Sequence, residues 1–332
     1  MLKTIKNMHK EKCLVIGLGK IGMGFDFDMD TASFVLTHCA AIKSHDNFIL
    51  SGGVDPNKAC RDDFEKKYLS SAFSNIDDAL NSIKPTVGVI CNPTDDHYSV
   101  LMKLIESPNL KAILCEKPLS YDFDEAQEMC DICARNGIPL YVNYMRRADP
   151  NVIEIKRRID CGDIAGPIKI SAWYSKGILN NGSHLINLVS YWLGEYINHT
   201  ILDSERSWNG TDPEPDIFIK FERGSLVLMS AWEEFYTHLT VELISPSGRI
   251  YYANGGEKIA FSQVTKDDLF DGYNVLVDEP EIFENFFLKY QYNVYDQLSA
   301  AIKKQENYLS DGFDGLRTLG ILEKIRGDLY DE

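Results

Sequence analysis

The first half of the chain alternates short apolar runs with amphipathic stretches of helix length. Continuous apolar runs predict strands that are buried on both faces, and the stretch after each run predicts a crossover helix. This order predicts an α/β fold with a doubly wound, Rossmann-type parallel sheet. The predicted strands are 12–16, 48–54, 86–91, 112–115 and 139–143, and the predicted helices are 33–44, 56–68, 76–82, 97–107 and 123–136.

The pattern changes after Pro150. Successive strands joined by tight turns predict a C-terminal α+β domain with a large, mostly antiparallel, open-faced sheet. We therefore predict two domains, 1–147 and 148–332. The predicted strands of the second domain are 168–175, 217–222, 225–232, 238–244, 249–253 and 258–264, and its predicted helices are 151–161, 183–193, 283–304 and 314–326.

Length, charge and cysteine content exclude several classes of protein. The 332 residues suit two domains, and 34 Lys and Arg against 50 Asp and Glu give a net charge of −16. That charge repels nucleic acid and anionic membrane surfaces, and no run approaches the roughly 20 apolar residues of a membrane span. We therefore expect a cytoplasmic protein. We also expect no metal site, because Cys130 and Cys133 lie in a helical pattern without a second pair.

A glycine motif follows the first predicted strand directly. In the sequence Gly17-Leu18-Gly19-Lys20-Ile21-Gly22, the first glycine permits a tight turn and the second lets a pyrophosphate approach the backbone. The third glycine allows close packing, and the N-terminus of the following helix faces the anion. The predicted dinucleotide contacts are Gly17, Gly19, Lys20, Ile21 and Gly22.

Asp55 ends the second predicted strand. Its carboxylate can accept hydrogen bonds from ribose hydroxyls and would repel a 2′-phosphate, which favours NAD and makes NADP the weaker cofactor candidate. Asp55 lies 33 residues after Gly22, where about 20 is usual, so residues 23–31 are predicted to be an insertion. Its acids Asp26, Asp28 and Asp30 lack a calcium-loop spacing, and the segment is either a cofactor cover or a solvated loop.

Two further strand ends carry polar residues, Asn92-Pro93-Thr94-Asp95-Asp96-His97 and Glu116-Lys117-Pro118. Open α/β sheets bind ligands at the carboxyl ends of their strands. Together with the glycine motif and the strand-rich second half, these segments resemble the Gfo/Idh/MocA oxidoreductases, the family of glucose-fructose oxidoreductase and inositol dehydrogenase. The resemblance covers nearly the whole chain, and Glu-Lys-Pro after a strand is its most specific element.

The resemblance implies a role for each matching residue of the first domain. Lys117 matches the active-site lysine beside the nicotinamide and the substrate hydroxyl, ahead of a peptide bond to Pro118 that we expect to be cis. Glu116 matches a residue near the nicotinamide ribose. Arg146 matches a substrate contact. For both Asn143 and Arg146, hinge packing is an equal alternative. His97 could instead be an exposed residue in the first turn of a helix. The remaining implied cofactor contacts are Asn92, Pro93, Thr94, His97 and Asn143.

In the second domain, Asn180-Asn181-Gly182-Ser183-His184-Leu185-Ile186-Asn187 resembles the family's Asp-x-Gly-x-His-x-x-Asp helix start. His184 takes the histidine position and is implied to be catalytic with Lys117, whereas Asn180 and Asn187 replace two aspartates. An amide cannot accept a proton, so Asn180 is a weaker member of a proton relay. The alternative is a Ser183 cap and a packed His184. The implied substrate contacts are Lys117, Arg146, Lys176, Asn181, His184 and Asn187.

The implied chemistry is hydride transfer between the nicotinamide of NAD and a secondary alcohol carbon, with Lys117 exchanging the hydroxyl proton. The cation of Lys176 and the amides of Asn180, Asn181 and Asn187 favour a sugar or nucleotide-sugar over inositol. The alternative for Lys176 is a solvated charge at a strand end. A non-catalytic protein that senses NAD or a sugar, and an enzyme of another class that uses NAD transiently, remain alternatives. An uncovered apolar sheet face predicts a homodimer or homotetramer.

Overall fold

The structure is a computed structural model that describes residues 10–330. Within this range the chain forms two compact units. The first contains residues 10–145 together with Leu288–Leu316, and the second contains Arg146–Phe287 together with the chain from Arg317. The sequence predicted one boundary, after residue 147. The structure differs because the chain returns to the first unit after the second sheet.

The sheet of the first unit is parallel throughout and has the order β3-β2-β1-β4-β5-β6 in the described residues. The strand order reverses at β1, so the predicted doubly wound fold is confirmed. β3 has two residues, too few to leave an apolar pattern in the sequence. The strands are β1 (Glu11–Ile16), β2 (Phe48–Val54), β3 (Ala72–Phe73), β4 (Val87–Ile90), β5 (Ala112–Cys115) and β6 (Leu140–Val142).

Side-chain caps set where several helices begin. The Thr37 hydroxyl accepts a hydrogen bond from the Ala40 N–H, so α1 begins at His38 and not at the predicted residue 33. None of the described helices combines the length and apolar character needed to cross a membrane. The helices are α1 (His38–Ser44), α2 (Lys58–Tyr68), α3 (Ile76–Ile83), α4 (His97–Leu104), α5 (Phe123–Arg135), α6 (Pro150–Asp160), α7 (Ser183–Leu193), α8 (Tyr290–Ile302) and α9 (Gly312–Tyr330).

The cysteine pair of α5 packs inside the first unit. Cys130 and Cys133 are 2% and 1% exposed, and burial raises the pKa of both thiols to about 12. Thiols that stay protonated near neutral pH are poor nucleophiles and poor metal ligands. The pair therefore behaves as apolar packing.

The second unit holds a mixed sheet in the order β16-β15-β14-β13-β7-β12-β11-β8, with β17 beside β15. Its neighbours are antiparallel except β7 and β12, so the predicted mostly antiparallel sheet is confirmed. The strands of this unit are β7 (Ile168–Tyr174), β8 (Tyr196–Asp203), β9 (Ser207–Trp208), β10 (Asp212–Pro213), β11 (Asp216–Phe221), β12 (Gly224–Ser230), β13 (Leu239–Ser245), β14 (Gly248–Ala253), β15 (Lys258–Lys266), β16 (Asn274–Leu276) and β17 (Glu281–Ile282).

The two faces of this sheet have different environments. Alternate residues of β7, such as Ile170 and Tyr174, are buried in a core that includes Trp192 of α7. The opposite face carries Trp173, Ile244 and Tyr251, which are 39%, 45% and 48% exposed. The register of β7, β13 and β14 places these three side chains on one side of the sheet. We call this side, together with Val227 and Met229 of β12, the open face.

Candidate functional site

The parallel register aligns the carboxyl ends of five strands of the first unit. The strand-end residues Ile16, Val54, Ile90, Cys115 and Val142 are paired in one row. Hydrogen bonds continue past this row, from Gly17 N to Val54 O (2.8 Å), from Glu116 N to Ile90 O (2.8 Å) and from Asn143 N to Cys115 O (2.7 Å). The residues that follow the strands therefore share one edge of the sheet, as predicted.

The three glycines of the motif have different surroundings. Gly17 has φ +99°, and a Cβ there would lie 2.5 Å from the backbone of Cys91 and Asn92. A Cβ on Gly22 would lie 2.2 Å from Gly17 O, whereas a Cβ on Gly19 would meet no atom within 4 Å. Gly17 and Gly22 are thus required by the fold. Gly19 leaves its backbone open, which fits the approach of a pyrophosphate.

The segment after the glycine turn differs from the expected helix. Lys20–Gly24 forms a five-residue π-helical turn, and α1 begins only at His38. An anion at Gly19 would therefore face this short turn. Lys20 is exposed and Ile21 is half-buried on it, so their cofactor contacts stay predictions.

The insertion is fastened to the first unit by Asp26. This carboxylate is fully buried and accepts hydrogen bonds from Leu36 N (2.7 Å), Thr37 N (3.1 Å) and Thr37 Oγ1 (2.7 Å). Lys67 donates to the carbonyl of Phe27 from the other side. Asp26 is therefore an internal anchor for the backbone. Its neighbours Asp28 and Asp30 are exposed.

Asp55 lies beside the glycine turn. Its Oδ2 accepts a hydrogen bond from Leu18 N (2.9 Å), and its Oδ1 accepts one from Asn57 N (2.8 Å). Two backbone donors hold the carboxylate in place, and the residue is half-buried. The position and charge of this side chain fit a contact with a ribose diol.

His97 begins α4, as predicted, but its side chain is buried. The side chain is 1% exposed, with Nε2 3.0 Å from Asn92 O and Nδ1 3.1 Å from Pro118 O. Burial lowers the pKa of its imidazole, although its bonds to carbonyls oppose that shift. Both ring nitrogens lie at backbone carbonyl oxygens, so His97 links two strand-end loops and is not the exposed residue of the alternative prediction. Asn92 and Thr94 are half-buried beside it, and Pro93 is exposed.

Glu116 stands at the centre of a buried polar cluster. Its Oε1 accepts a hydrogen bond from Asn143 Nδ2 (2.6 Å) and lies 2.9 Å from His38 Nε2. Burial raises the pKa of this carboxyl, but its interactions with His38, Asn143 and Lys117 outweigh burial and leave the pKa below its ordinary value. Lys117 follows directly, is half-buried, and precedes a cis bond to Pro118, as predicted.

Three residues that no sequence pattern marks, His38, Gln291 and Tyr295, complete this cluster. Gln291 Nε2 lies 3.1 Å from both ring nitrogens of His38, and Tyr295 Oη lies 3.1 Å from His38 Nδ1. All three are fully buried. Gln291 and Tyr295 belong to α8, which the sequence assigned to the other domain, and no local motif marks them.

The asparagine-rich turn of the second unit is held by carboxylates. Asp212 accepts hydrogen bonds from Leu179 N and Asn180 N, both at 3.0 Å, and Glu214 accepts one from Gly177 N (3.1 Å). A Cβ on Gly177, which has φ +78°, would overlap Asp212. The turn therefore has a defined backbone ahead of α7. Asn180 and Asn181 are half-buried on it, and His184 is 8% exposed in the first turn of α7.

Two predicted substrate residues have structural partners in the second unit. Lys176 forms an ion pair with Glu233 at 3.1 Å, so its charge is balanced within the protein. Asn187 is 2% exposed and donates to Thr318 Oγ1 (3.0 Å), as a packing residue does.

Arg146 lies against β14 and the turn that follows it. Its guanidinium lies close to Gly255 and acts electrostatically on the Tyr252 hydroxyl, while Nε and Nη1 are buried without a hydrogen-bond partner among the described residues. Burial raises the pKa of Tyr252 to about 12, with Arg146 opposing the shift. Substrate contact and hinge packing both stay predictions for Arg146.

Comparisons with known proteins agree with this geometry. The Gfo/Idh/MocA family model, described as an oxidoreductase family with an NAD-binding Rossmann fold, matches residues 12–144. The scyllo-inositol 2-dehydrogenase (NAD(+)) of Bacillus subtilis is 27% identical over 202 residues, which are 59% of this chain and 52% of that relative. The chain thus matches about half the length of this relative.

Two solved structures share the fold over almost the entire chain. An NAD binding oxidoreductase from Klebsiella pneumoniae superposes with a TM-score of 0.78, 16% identity and 97% coverage of both chains. The WlbA dehydrogenase from Bordetella pertussis, in complex with NADH and UDP-GlcNAcA, superposes with a TM-score of 0.74 and 16% identity, covering 97% of this chain and 96% of that one.

Substitution of Gly19 should affect NAD binding, whereas substitution of Gly17 should affect the stability of the fold. Gly19→Ala should leave the melting temperature unchanged, because its methyl group meets open space, but should weaken NAD binding at least about tenfold by blocking the backbone. Gly17→Ala should cost about 3 kcal/mol or more of stability, because its methyl group meets backbone at a positive φ. Scanning fluorimetry and calorimetric NAD titration measure both effects. Unchanged NAD affinity in Gly19→Ala would place the pyrophosphate elsewhere.

Proposed function

We propose that the chain is an NAD-dependent dehydrogenase of sugars or nucleotide-sugars, because residues 12–144 match the Gfo/Idh/MocA oxidoreductase family model and the first unit has a Rossmann fold. The proposed reaction moves a hydride between NAD and a secondary hydroxyl or keto carbon. The observation that carries this proposal is the shared sheet edge, where the open backbone of Gly19 lies beside the anchored carboxylate of Asp55. When NAD is bound along this edge, its nicotinamide supplies the hydride acceptor.

The first unit also supplies the group for proton exchange. Lys117 lies directly after β5, beside the Glu116 carboxylate, whose pKa its positive charge helps to lower. In the proposed reaction its amine takes the hydroxyl proton during oxidation and returns a proton during reduction. Asn92, Thr94 and Asn143 are proposed to line the cofactor from neighbouring strand ends.

The second unit is proposed to bind the substrate. His184 begins α7 and can donate or accept a hydrogen bond at neutral pH, so we propose that it orients the reacting hydroxyl. Asn180 and Asn181 precede it on a turn held by Asp212 and offer amide donors and acceptors suited to sugar hydroxyls. Lys176 is left out of the proposed contacts because Glu233 balances its charge.

The inositol dehydrogenases are the second candidate. The Bacillus subtilis relative acts, by its name, on scyllo-inositol, and a cyclic polyol offers the same secondary hydroxyl groups as a sugar. A nucleotide-sugar is present in the Bordetella pertussis structure. Either substrate class requires the same hydride and proton transfers.

The proposed function is tested by incubating the protein with NAD and a panel of sugars, nucleotide-sugars and inositols. NADH is followed by its near-ultraviolet absorbance. NADH formation with a sugar or nucleotide-sugar supports the proposal, and formation with inositols alone supports the second candidate. Product formation without net NADH indicates transient use of NAD by another class of enzyme. Binding of NAD without turnover of any compound indicates a sensing protein.

Lys117→Ala should retain NAD binding and lose turnover. Removal of the proposed proton acceptor should lower kcat by about 100-fold or more, because general acid–base catalysis contributes at least that much. Steady-state kinetics and calorimetric NAD titration measure the two effects. Lys103→Ala, which alters an exposed lysine paired with Asp77, is the matched control. A kcat equal to that of the control would remove Lys117 from the mechanism.

Asp55→Ala should weaken NAD and relax the discrimination against NADP. Loss of a charged acceptor for the ribose should raise the Kd for NAD about tenfold, while loss of the negative charge should improve NADP binding. Competition titrations with both cofactors measure the ratio. Asp62→Ala alters an exposed carboxylate on α2 and should leave the ratio unchanged. Equal ratios in both variants would show that Asp55 does not contact the ribose.

We propose that the open face pairs with a second copy of the chain, giving a homodimer or homotetramer. The open face carries aromatic and aliphatic side chains beside charged ones such as Glu242 and Arg249, and an exposed sheet face with large apolar side chains is typical of a subunit interface. Light scattering should give two or four times the chain mass, and Ile244→Glu should shift the protein toward monomer because it replaces an apolar side chain of this face with a charged one. Tyr121→Glu, on an exposed residue of the first unit, is the control. A monomeric unsubstituted protein would contradict this proposal.

A further inference from the structure

His38 is a fully buried histidine whose two ring nitrogens both face polar groups. Nε2 lies 2.9 Å from Glu116 Oε1, and Nδ1 lies 3.1 Å from Tyr295 Oη. The two partners come from different elements, since Glu116 follows β5 and Tyr295 lies on α8. His38 therefore joins a carboxylate at the edge of the sheet to a phenol in the core.

The partners determine which nitrogen carries the hydrogen. The Glu116 carboxyl has a lowered pKa, so it is ionised at neutral pH and can only accept a hydrogen bond. Burial raises the pKa of Tyr295 well above its ordinary value, so the phenol keeps its proton. One directed chain satisfies both groups. In this chain Tyr295 Oη–H donates to Nδ1 of His38, and Nε2–H of His38 donates to Glu116.

Two donors hold the carboxylate in one orientation. His38 and Asn143 both reach Oε1 of Glu116, and Gln291 Oε1 in turn accepts from Asn143 Nδ2 at 3.3 Å. The Glu116 side chain is 14% exposed, so it is shielded from bulk water but still reaches the surface of the first unit. In such surroundings a negative charge acts more strongly than it does in water.

On the basis of the proposed function, we propose that His38 is a positioning residue. It keeps the Glu116 carboxylate ionised and oriented toward the nicotinamide end of the cofactor. A fixed negative charge there stabilises the positively charged ring of NAD⁺ and has little effect on the uncharged ring of NADH. His38 therefore sets the relative affinity for the two redox forms. Tyr295 keeps His38 in the tautomer that donates to Glu116.

The other titratable groups near this cluster do not replace Glu116. Burial raises the pKa of each surrounding thiol well above its ordinary value, so the thiols are neutral near pH 7. The charged groups are Glu116 and Lys117, together with Asp26 and Asp55, which act electrostatically on the thiols of Cys39 and Cys91. The titratable neighbours are Cys13 on β1, Cys39 on α1, Cys91 after β4, Cys115, Glu116 and Lys117 at the end of β5, and Tyr295 on α8.

The test compares His38→Phe with His38→Gln, using calorimetric titration with NAD⁺ and with NADH in the absence of substrate. Phe removes the donor to Glu116, whereas the Gln amide can place a donor near the position of Nε2. His38→Phe should weaken NAD⁺ binding about tenfold with a much smaller change for NADH, the effect of losing one bond to a charged group. His38→Gln should restore most of the NAD⁺ affinity.

The pH dependence of the same titration provides a second measurement. NAD⁺ affinity should fall as pH falls through the pKa of Glu116, because protonation removes the negative charge. Without the His38 donor that pKa rises, so His38→Phe should lose affinity at a higher pH than the unsubstituted protein and His38→Gln. A pH profile that does not move would overturn the proposal.

Nitrogen-15 NMR of histidine-labelled protein tests the tautomer directly. We expect a neutral His38 with its hydrogen on Nε2, and we expect Tyr295→Phe to weaken this preference and to lower NAD⁺ affinity in the same direction as His38→Phe. Tyr295→Phe also keeps the test decisive if His38→Phe does not fold. A hydrogen on Nδ1, or equal losses of NAD⁺ and NADH affinity, would make His38 a purely structural residue.

Failure of this proposal is distinguishable from failure of the proposed function. If the unsubstituted protein binds NAD⁺ and oxidises a sugar while His38→Phe binds both redox forms as tightly, the positioning role alone is wrong. If the unsubstituted protein binds neither redox form, the proposed function itself is wrong.

Discussion

The register of the parallel sheet is the constraint on which the candidate site depends. Five strands of the first unit end in one row, and their hydrogen bonds continue for one residue beyond it. Residues from distant parts of the chain, such as Gly17, Asp55 and Glu116, therefore reach the same edge. The geometry of the site follows from backbone pairing, and its chemistry follows from the residue that occupies each strand end.

Several polar side chains near this edge bind backbone rather than ligand. The loops that leave parallel strands contain N–H and C=O groups without ladder partners, and each buried group needs one. Asp26 and His97 supply such partners in the first unit, and Asp212 does the same for a turn within the second unit. A polar residue beside a binding motif can thus be essential to the site without contacting a ligand.

Glu116 differs from these residues because its partners are side chains. His38 and Asn143 hold a carboxylate that burial alone would tend to protonate. Each donor to a buried acid must also have partners for its own remaining polar atoms. Tyr295 provides one for His38, and Gln291 provides one for Asn143. This arrangement links the core of the first unit to the charge beside Lys117.

The sequence by itself determined the fold class, the positions of most strands and helices, and the glycine, Asp55 and Glu-Lys-Pro motifs, because periodicity and turn chemistry are local properties. It missed β8, whose residues are mostly exposed or half-buried and carry no apolar run. Only the tertiary structure shows that Leu288–Leu316 belongs to the first unit, that His97 is buried and that Tyr295 contacts His38. These outcomes depend on packing between residues far apart in sequence, which leaves no local pattern.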